Sequence, residues 1–369
     1  MRTGIFVMLV LMGCVAGSSQ ILAQGPQPLN NIGCVPLGFG TGEDDTDITA
    51  CAKPLLNRQS LINTSSSIRQ IILGRFDRGS NQSEPAGLEL NNAQDIADRL
   101  SGSGSFLISP TADVAEPAAS PNWNVWTDGK YSYLNDTADL SDLDGGLVNL
   151  IVGADYKVSD RLVLGLMGTY EASRLDGNLL IPTDQDTDGW GGGAYLGYTL
   201  TDNLVFSANV LGTSLDTDIN GVTDLDSTRI QTSAALTGYW YSGTWRYSPS
   251  LTVAWSKEWQ DDAPGLAAQT IETAVISPGA QIGNTFSLSG ANTVEPWLGA
   301  QFDWAARNKV VDDALGTILN DPNVDLRLQT GLNFAFGANA QLALTGEISG
   351  ILLEDSNTYT AGANFAFQF

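Results

Sequence analysis

The side chains best placed for chemistry are charged residues on the polar faces of alternating segments in the second half of the chain. Apolar residues occupy every second position on the opposite faces of these segments. The set comprises Arg229, Arg246, Glu295, Asp303, Asp325, Arg327 and Glu347. If these polar faces line one enclosed space, the arginines and carboxylates predict a charge network across it. Such a network either fills and hydrogen-bonds an interior or gates and selects solutes in a pore, and both alternatives stay open.

Composition excludes several classes of function. The chain contains no histidine, which excludes Ser-His and Asp-His hydrolases, histidine-ligated metal sites and imidazole proton shuttles. No convincing arrangement around another nucleophile is present, so we expect neither an enzyme nor a bound cofactor or metal. The formal net charge of −24, from 17 basic and 41 acidic residues, argues against nucleic-acid binding.

One acidic segment resembles part of a calcium site. Residues 184–189 read Asp-Gln-Asp-Thr-Asp-Gly, which is the first half of a calcium-binding loop. The twelfth position holds Tyr195 instead of glutamate, and glycine-rich strand sequence follows. A solvated outer loop is the favoured interpretation, and weak calcium binding is the alternative.

The start of the chain predicts export. Residues 1–23 combine an early arginine, a short apolar run and a zone of small residues, as in a secretory signal peptide. The apolar run is too short to span a bilayer as a helix. We predict cleavage after Ala23, and a lipoprotein box that ends at Cys14 is the alternative.

Export leaves two cysteines, Cys34 and Cys51, in an oxidising compartment. An isolated pair of this kind predicts a disulfide, since the chain lacks the further soft ligands that a metal site requires. An unstrained cross-link of this loop length would stabilise the fold by roughly 3 kcal/mol.

Residues 24–121 differ from the rest of the chain in composition and in hydrophobic pattern. A loop-rich opening surrounds the cysteine pair, and apolar residues at helical spacing then predict a helix within residues 65–76. A second short helix is predicted at residues 92–100. Proline, alanine and serine dominate residues 101–121, which we expect to be an extended linker.

From residue 122 the alternation becomes regular and predicts an all-β fold, a twelve-stranded antiparallel transmembrane barrel. Each segment is about long enough to cross an outer membrane when tilted. The predicted strands are 122–134, 145–158, 161–173, 188–200, 203–214, 227–241, 244–257, 271–286, 292–305, 322–336, 340–352 and 356–369. Their connections alternate between tight turns and long acidic stretches, which is typical of outer-membrane barrels with the long loops outside.

The final strand carries the clearest alternation. Phe365, Phe367 and Phe369 share one face, and small or polar residues form the other. Lipid outside, a wet lumen inside and an aromatic ring at the membrane interface would explain this pattern. A half-buried strand of a soluble sandwich is the alternative.

Several stretches of this barrel region resemble the C-terminal translocator domain of autotransporters. They are WTDGKYS at 126–132, GADYKVSD at 153–160 with LGL at 164–166, DGWGGGAY at 188–195, and the terminal FAFQF. The resemblance implies a twelve-stranded outer-membrane barrel that is inserted by the barrel-assembly machinery. It also implies a passenger ahead of the barrel, a linker through the pore, and an assembly signal in Phe365, Phe367 and Phe369.

Two features depart from the family. The mature region before the barrel is short, and the residues just before the first strand are proline-rich where the family usually threads a helix. An extended linker, the helix at 92–100, or no segment at all is therefore expected in the pore. Asn91-Asn92 resembles the junction at which some members cut themselves, although paired asparagines are also common helix caps.

Two functions follow from these expectations. The first is a barrel that anchors or translocates the short N-terminal region to the cell surface, with residues 24–110 outside. The alternative is a stand-alone outer-membrane channel or structural barrel in which that region is a plug or a periplasmic segment. In either case we expect a monomer whose partners are outer-membrane lipid, lipopolysaccharide and the barrel-assembly machinery.

Overall fold

The structure is a computed structural model that consists of one helix and one barrel. It describes residues 49–81, 122–138, 141–178, 182–221, 223–263, 267–289, 292–313, 316–320, 323–337, 339–353 and 356–369. The helix, α1, spans Thr49–Asn81. No helix in these ranges is long and apolar enough to cross a membrane.

Twelve strands form the barrel. They are β1 Trp123–Ala138, β2 Ser141–Ser159, β3 Leu162–Asn178, β4 Pro182–Thr201, β5 Leu204–Ile219, β6 Thr223–Gly238 with its continuation Trp240–Ser242, β7 Trp245–Gln260, β8 Gln269–Asn284 with Phe286–Ser287, β9 Thr293–Asp312, β10 Gly316–Asn320 with Asn323–Phe336, β11 Ala340–Ser349 and β12 Ser356–Gln368.

The barrel is closed. Each strand pairs antiparallel with the next, and β12 returns to β1 in an unbroken register from Asn124↔Gln368 to Asp136↔Ser356. Closure pairs the backbone of every strand on both sides, which a β structure needs in order to lie in lipid. The predicted twelve-stranded antiparallel barrel is confirmed.

Side chains alternate between the lipid-facing wall and the lumen. On β12, Phe365, Phe367 and Tyr359 are exposed on the outside, whereas Asn364 and Gln368 are buried inside. The other strands follow the same period of two, because successive residues of a strand point to opposite faces. A large exposed apolar surface is stable when lipid covers it.

The strands are longer on one side than the alternation suggested. Residues 135–144, 174–187, 215–226, 258–270 and 306–321 were expected to be loops. Most of each stretch continues the flanking strands, except in 258–270, where the strands end at Gln260 and resume at Gln269. Beyond the lipid-covered part of the barrel, both faces of each strand are polar. The apolar–polar alternation stops there, so the sequence pattern does not show that the strand continues. We call this side of the barrel the loop end, and the side with the tight turns the turn end.

One long helix crosses the lumen. The segment at 65–76 is part of α1, a single helix of 33 residues that begins at Thr49 and carries Pro54 near its start. Proline has no backbone N–H, so the helix lacks one of its hydrogen bonds at Pro54. The expectation of an empty pore is therefore wrong. The extended linker at 101–121 and the helix predicted at 92–100 lie outside the described residues, so these two expectations stay predictions.

The direction of α1 is defined by ion pairs at its two ends. Near its start, Lys53 pairs with Glu258, close to the loop end of β7. Near its finish, Arg75 pairs with Asp155, close to the turn that joins β2 and β3. The helix thus runs from the loop end to the turn end. Residues 49–81 lie in the lumen, so the expectation that all of residues 24–110 would be outside is wrong.

Candidate functional site: the helix-filled lumen

An apolar face of α1 packs on the wall formed mainly by β1–β5. Toward the turn end, Ile68, Ile71 and Ile72 form one buried cluster with side chains that include Trp126 and Met167. Toward the loop end, a second buried cluster joins α1 to β1–β3, and it consists of Leu56, Leu134, Leu143, Leu147 and Leu175. Each fully buried aliphatic side chain contributes about 1.5–3 kcal/mol, so these contacts hold the helix against one wall.

Near the loop end, α1 joins a buried cluster of two acids and two bases. Arg229 lies between Glu171 and Glu258, with nitrogen–oxygen distances of 2.7 Å and 3.7 Å. Lys53 of α1 approaches Glu258 at 3.5 Å, and the hydroxyl of Ser60 donates to Glu171. All four charged side chains are buried, so each charge depends on its partners for stabilisation.

At mid-lumen, the helix backbone is held by the barrel wall. The ammonium group of Lys130 donates to the carbonyl oxygen of Asn63 at 3.0 Å and also bonds Ser66. The side-chain amide of Asn63 donates to Asn149 at 2.7 Å. One turn later, the hydroxyl of Ser67 donates to Asp128 at 2.6 Å. These bonds connect α1 to β1 and β2, which begin the barrel.

At the turn end, the helix is held by Asp155. This carboxylate pairs with Arg75 at 2.8 Å and accepts hydrogen bonds from Asn124 at 2.8 Å and Tyr195 at 2.9 Å. The indole N–H of Trp126 donates to the Tyr195 hydroxyl oxygen at 2.5 Å. A single residue of α1 is thus linked to three strands.

The seven charged residues predicted from the sequence do not form one network. Arg246 makes a bidentate pair with Glu295, at 2.7 Å and 3.0 Å. Arg327 pairs with Asp303 at 2.8 Å and with Glu347 at 3.4 Å. The structure therefore contains separate clusters. Arg327 joins neighbouring strands, whereas Arg246 and Arg229 reach partners across intervening strands.

Asp325 has a different environment from the other predicted residues. Its carboxylate accepts backbone hydrogen bonds from Gly350 at 2.7 Å and from Leu326 at 2.7 Å. These bonds hold the connection that follows β11, and no arginine of the described residues forms an ion pair with Asp325. Its role here is to satisfy backbone N–H groups.

Sequence analysis missed the charged residues that hold α1. These are Lys53, Arg75, Lys130, Asp155, Glu171 and Glu258. A signal for Glu171 was present, because it lies on one polar face of β3 with Thr169 and Ser173. The charges of α1 gave no such signal, since a charged residue on a helix is normally solvated.

The side of α1 that faces β7–β9 has a mostly polar surface. A cavity of about 180 Å³ lies there toward the turn end. Its lining includes Arg69, Arg246, Glu295, Trp297 and Glu347. An enclosed space with so many polar groups is suited to water.

One apolar contact interrupts this polar side. Leu61 packs on Ala254 of β7 and Val275 of β8, and all three are buried. Val275 is also in register with Ala305 of β9, so three apolar positions form one cross-strand row. The next row toward the loop end is polar again, with Ser256 in register with Thr273. Leu61 therefore separates two polar regions of the lumen.

The structure excludes a calcium loop at residues 184–189. These residues belong to β4, where Asp184, Asp186 and Asp188 point outward while the residues between them point inward. A calcium loop must instead curl around its ion. No group of three or more acidic or cysteine side chains in the described ranges could hold a metal ion.

Four sequence-based predictions about special residues remain predictions. Cys34 lies outside the described residues, and only the backbone of Cys51, in the first turn of α1, is described. Phe365, Phe367 and Phe369 lie on the outer wall at the end of the last strand and are exposed. Their exposure does not test a role in assembly. The signal peptide and Asn91-Asn92 also lie outside the described residues.

Comparisons with known proteins identify the family. The sequence matches the Autotransporter beta-domain family over residues 125–349, more than half of the chain. A search of curated proteins gave no significant match. The fold resembles the β domain of the Bordetella autotransporter Brka, with 15% identity, a TM-score of 0.54 and coverage of 67% of this chain and 100% of that chain.

Two further solved structures share the fold. The translocator domain of NalP from Neisseria meningitidis has 12% identity, a TM-score of 0.51 and coverage of 75% of this chain and 93% of that chain. The transport unit of AIDA-I from Escherichia coli has 12% identity, a TM-score of 0.53 and coverage of 75% and 98%.

A closed barrel with an apolar outer wall and a helix through its lumen defines an outer-membrane transport barrel. The chain belongs to the autotransporter β-domain family, which confirms the resemblance seen in the sequence. It is an outer-membrane protein whose barrel translocates an N-terminal passenger. The alternative of a stand-alone channel or structural barrel is not favoured.

Proposed function

We propose that this autotransporter displays the residues that precede its lumenal helix. The barrel holds α1 in its lumen and presents at the cell surface the residues that precede Thr49. Residues 1–23 are removed as a signal peptide in this proposal, and residues 24–48 belong to the displayed segment. The observation that carries this proposal is the direction of α1, whose N-terminal end lies at the loop end. In outer-membrane barrels, tight turns face the periplasm and long loops face outward.

The connection between helix and barrel is consistent with this direction. The finish of α1 and the start of β1 lie at the same end, since Arg75 donates to the carbonyl oxygen of Asn122 at 2.9 Å. The last contacts of α1 and the start of β1 therefore both lie on the proposed periplasmic side. Residues 122–369 form the anchoring barrel.

The contacts of α1 support a resident helix. The helix forms charge pairs at both ends and apolar clusters with one wall. These contacts exist only while the helix is in the lumen. Removing the helix would leave Asp155, Glu171 and Glu258 with fewer partners in a confined space, which costs free energy. The barrel and α1 thus act as one anchor for the displayed segment.

A disulfide between Cys34 and Cys51 would complete this anchor. Cys51 is in the first turn of α1, at the surface end of the lumen. A cross-link there would tie the displayed segment into a loop at the barrel mouth. Oxidising conditions outside the inner membrane favour its formation.

The proposal involves no catalysis. The absence of histidine and the transport role of the family support a protein that displays its segment without an enzymatic step. The barrel-assembly machinery inserts the barrel and recognises Phe365, Phe367 and Phe369 at its end. A monomer is sufficient, because a closed barrel offers no free strand edge to another copy.

Surface protease treatment tests the proposal. An epitope tag inserted after Gln27 should be removed when protease is added to intact cells, while the barrel stays intact. A tag in the tight turn at Gly243-Thr244 serves as the matched control and should be protected until the outer membrane is permeabilised. Protection of the Gln27 tag in intact cells, with cleavage only after permeabilisation, would contradict surface display.

A further inference from the structure

Charges on the outer wall near the loop end are sorted by strand, except for Arg174 on β3. The wall of β3–β6 is acidic, with outward-pointing Asp176, Asp184, Asp186, Asp188, Asp216, Asp218, Asp224 and Asp226. The adjoining wall of β7–β9 instead carries Lys257, Arg307 and Lys309. Three clustered bases are notable in a chain with only 17 basic residues and a net charge of −24.

The three bases surround one carboxylate in register. Glu272 of β8 lies between Lys257 of β7 and Lys309 of β9 in one cross-strand row. Glu272 forms an ion pair with Arg307 at 2.7 Å and accepts a hydrogen bond from the indole N–H of Trp255 at 3.0 Å. One acid therefore faces three bases, and the patch retains positive charge.

The two lysines remain available to a further anion. The Lys257 ammonium lies 4.9 Å from the centre of the Trp259 ring, which orients it without neutralising it. No carboxylate of the described residues forms an ion pair with Lys257 or Lys309. Together with Arg307 and Thr270, these lysines line a depression of about 270 Å³ on the outer wall.

The depression lies just beyond the apolar band of the barrel. On β9 the outward apolar residues run from Val294 to Trp304, and Arg307 follows directly. Ten residues of a strand tilted by about 45° rise roughly 25 Å, which is the height of the apolar band of outer-membrane barrels. Tryptophan at Trp304 and Trp255 marks the interface on the two flanking strands. The bases thus lie at the level of lipid headgroups.

We propose that Lys257, Arg307 and Lys309 form a binding site for a phosphate group of an outer-leaflet lipid headgroup. Ammonium and guanidinium groups bind phosphate through charge-assisted hydrogen bonds, and the Thr270 hydroxyl adds a neutral donor. The acidic wall of β3–β6 repels phosphate, so such a lipid occupies one side of the barrel. The choice of leaflet rests on the proposed function, which places the loop end outside the cell.

Binding of phosphorylated lipid to purified full-length protein tests the site. The probe is lipid A carrying two phosphates, added to the protein in a neutral detergent and followed by native mass spectrometry. Lys257→Gln combined with Lys309→Gln should weaken binding by about tenfold or more, because charge-assisted bonds are lost. Arg307 is left in place so that Glu272 keeps its partner.

The matched control removes the same charge elsewhere on the exposed surface. Arg161→Gln combined with Arg174→Gln changes two exposed bases outside the depression and should leave binding unchanged. Dephosphorylated lipid A should bind the native protein as weakly as phosphorylated lipid A binds the Lys257/Lys309 variant. Equal binding by both double variants, or equal binding of both lipids, would overturn the proposal.

Inorganic phosphate separates a lipid site from a general anion site. Millimolar phosphate should not displace the lipid, since the adjoining apolar wall binds the acyl chains; displacement would overturn the lipid assignment. The detergent experiment does not depend on orientation in the membrane. If the Gln27 tag is protected but lipid binds, only the proposal of surface display is contradicted. If the tag is cleaved but lipid does not bind, only the proposed phosphate site is contradicted.

Discussion

Arg229 illustrates how single residues hold the lumen together. Its guanidinium lies between Glu171 and Glu258, and all three side chains are buried. Two buried carboxylates this close to each other require a positive charge, because each loses the solvation that water would provide. Lys53 supplies part of that charge from α1, so the helix and the wall share one electrostatic unit.

Substitution of Arg229 should be strongly destabilising. Arg229→Gln keeps a polar side chain but leaves Glu171 and Glu258 undercompensated, so we expect the free energy of unfolding to fall by about 3–5 kcal/mol. Urea unfolding of the barrel in lipid vesicles, followed by tryptophan fluorescence, measures this change. The control is Arg174→Gln on the exposed outer wall, where less than about 1 kcal/mol is expected. Similar losses for both variants would contradict the role of Arg229.

At the scale of elements, the barrel was predictable and the position of α1 was not. A period of two is visible in each strand on its own, so the twelve strands could be counted from the sequence. The helix inside the lumen buries polar residues such as Gln59, Ser60 and Asn63, which a sequence pattern assigns to solvent. Only the apolar spacing of Ile68 and its neighbours marked part of it.

The pairing of charged residues in the lumen was equally unpredictable from the sequence, because the paired residues are far apart along the chain. Arg229 and Glu171 are separated by 58 residues, and their contact depends on the register of four consecutive strands. The alternation showed which charged side chains point inward but not which of them meet. Asp325 shows the consequence, since it points inward yet binds backbone N–H groups.

The apolar contact of Leu61 should limit ion flow beside α1. Leu61→Asn replaces a buried apolar side chain that lies between two polar regions, so water and ions should pass and conductance in planar bilayers should rise. Leu56→Asn is the matched control, because Leu56 packs on the opposite wall. Both variants should lose about 2–4 kcal/mol of stability, but only Leu61→Asn should conduct more. An equal increase in both variants would show that loosening of the helix, rather than Leu61, controls the passage.

At the scale of the whole molecule, the barrel and α1 form one closed unit with a defined direction. The helix enters at the loop end, follows the β1–β5 wall and leaves beside the start of β1. Apolar side chains face lipid around the barrel, and charges concentrate beyond the apolar band and inside the lumen. This arrangement is consistent with an anchor for a surface segment, and it requires no second copy of the chain.

Cysteine cross-linking in intact cells tests the direction of α1 most directly. In a variant with Cys34 and Cys51 changed to serine, Lys53→Cys with Glu258→Cys and Arg75→Cys with Asp155→Cys should each be joined by a short bis-maleimide. The charged tips of both native pairs lie within ion-pair distance, at 3.5 Å and 2.8 Å, so the shorter cysteine side chains face each other across a gap that a bifunctional reagent bridges and a direct disulfide does not. The control pair, Lys53→Cys with Asp155→Cys, joins opposite ends of the lumen and should not cross-link. Cross-linking of the control pair, without the other two, would show that the helix runs in the opposite direction.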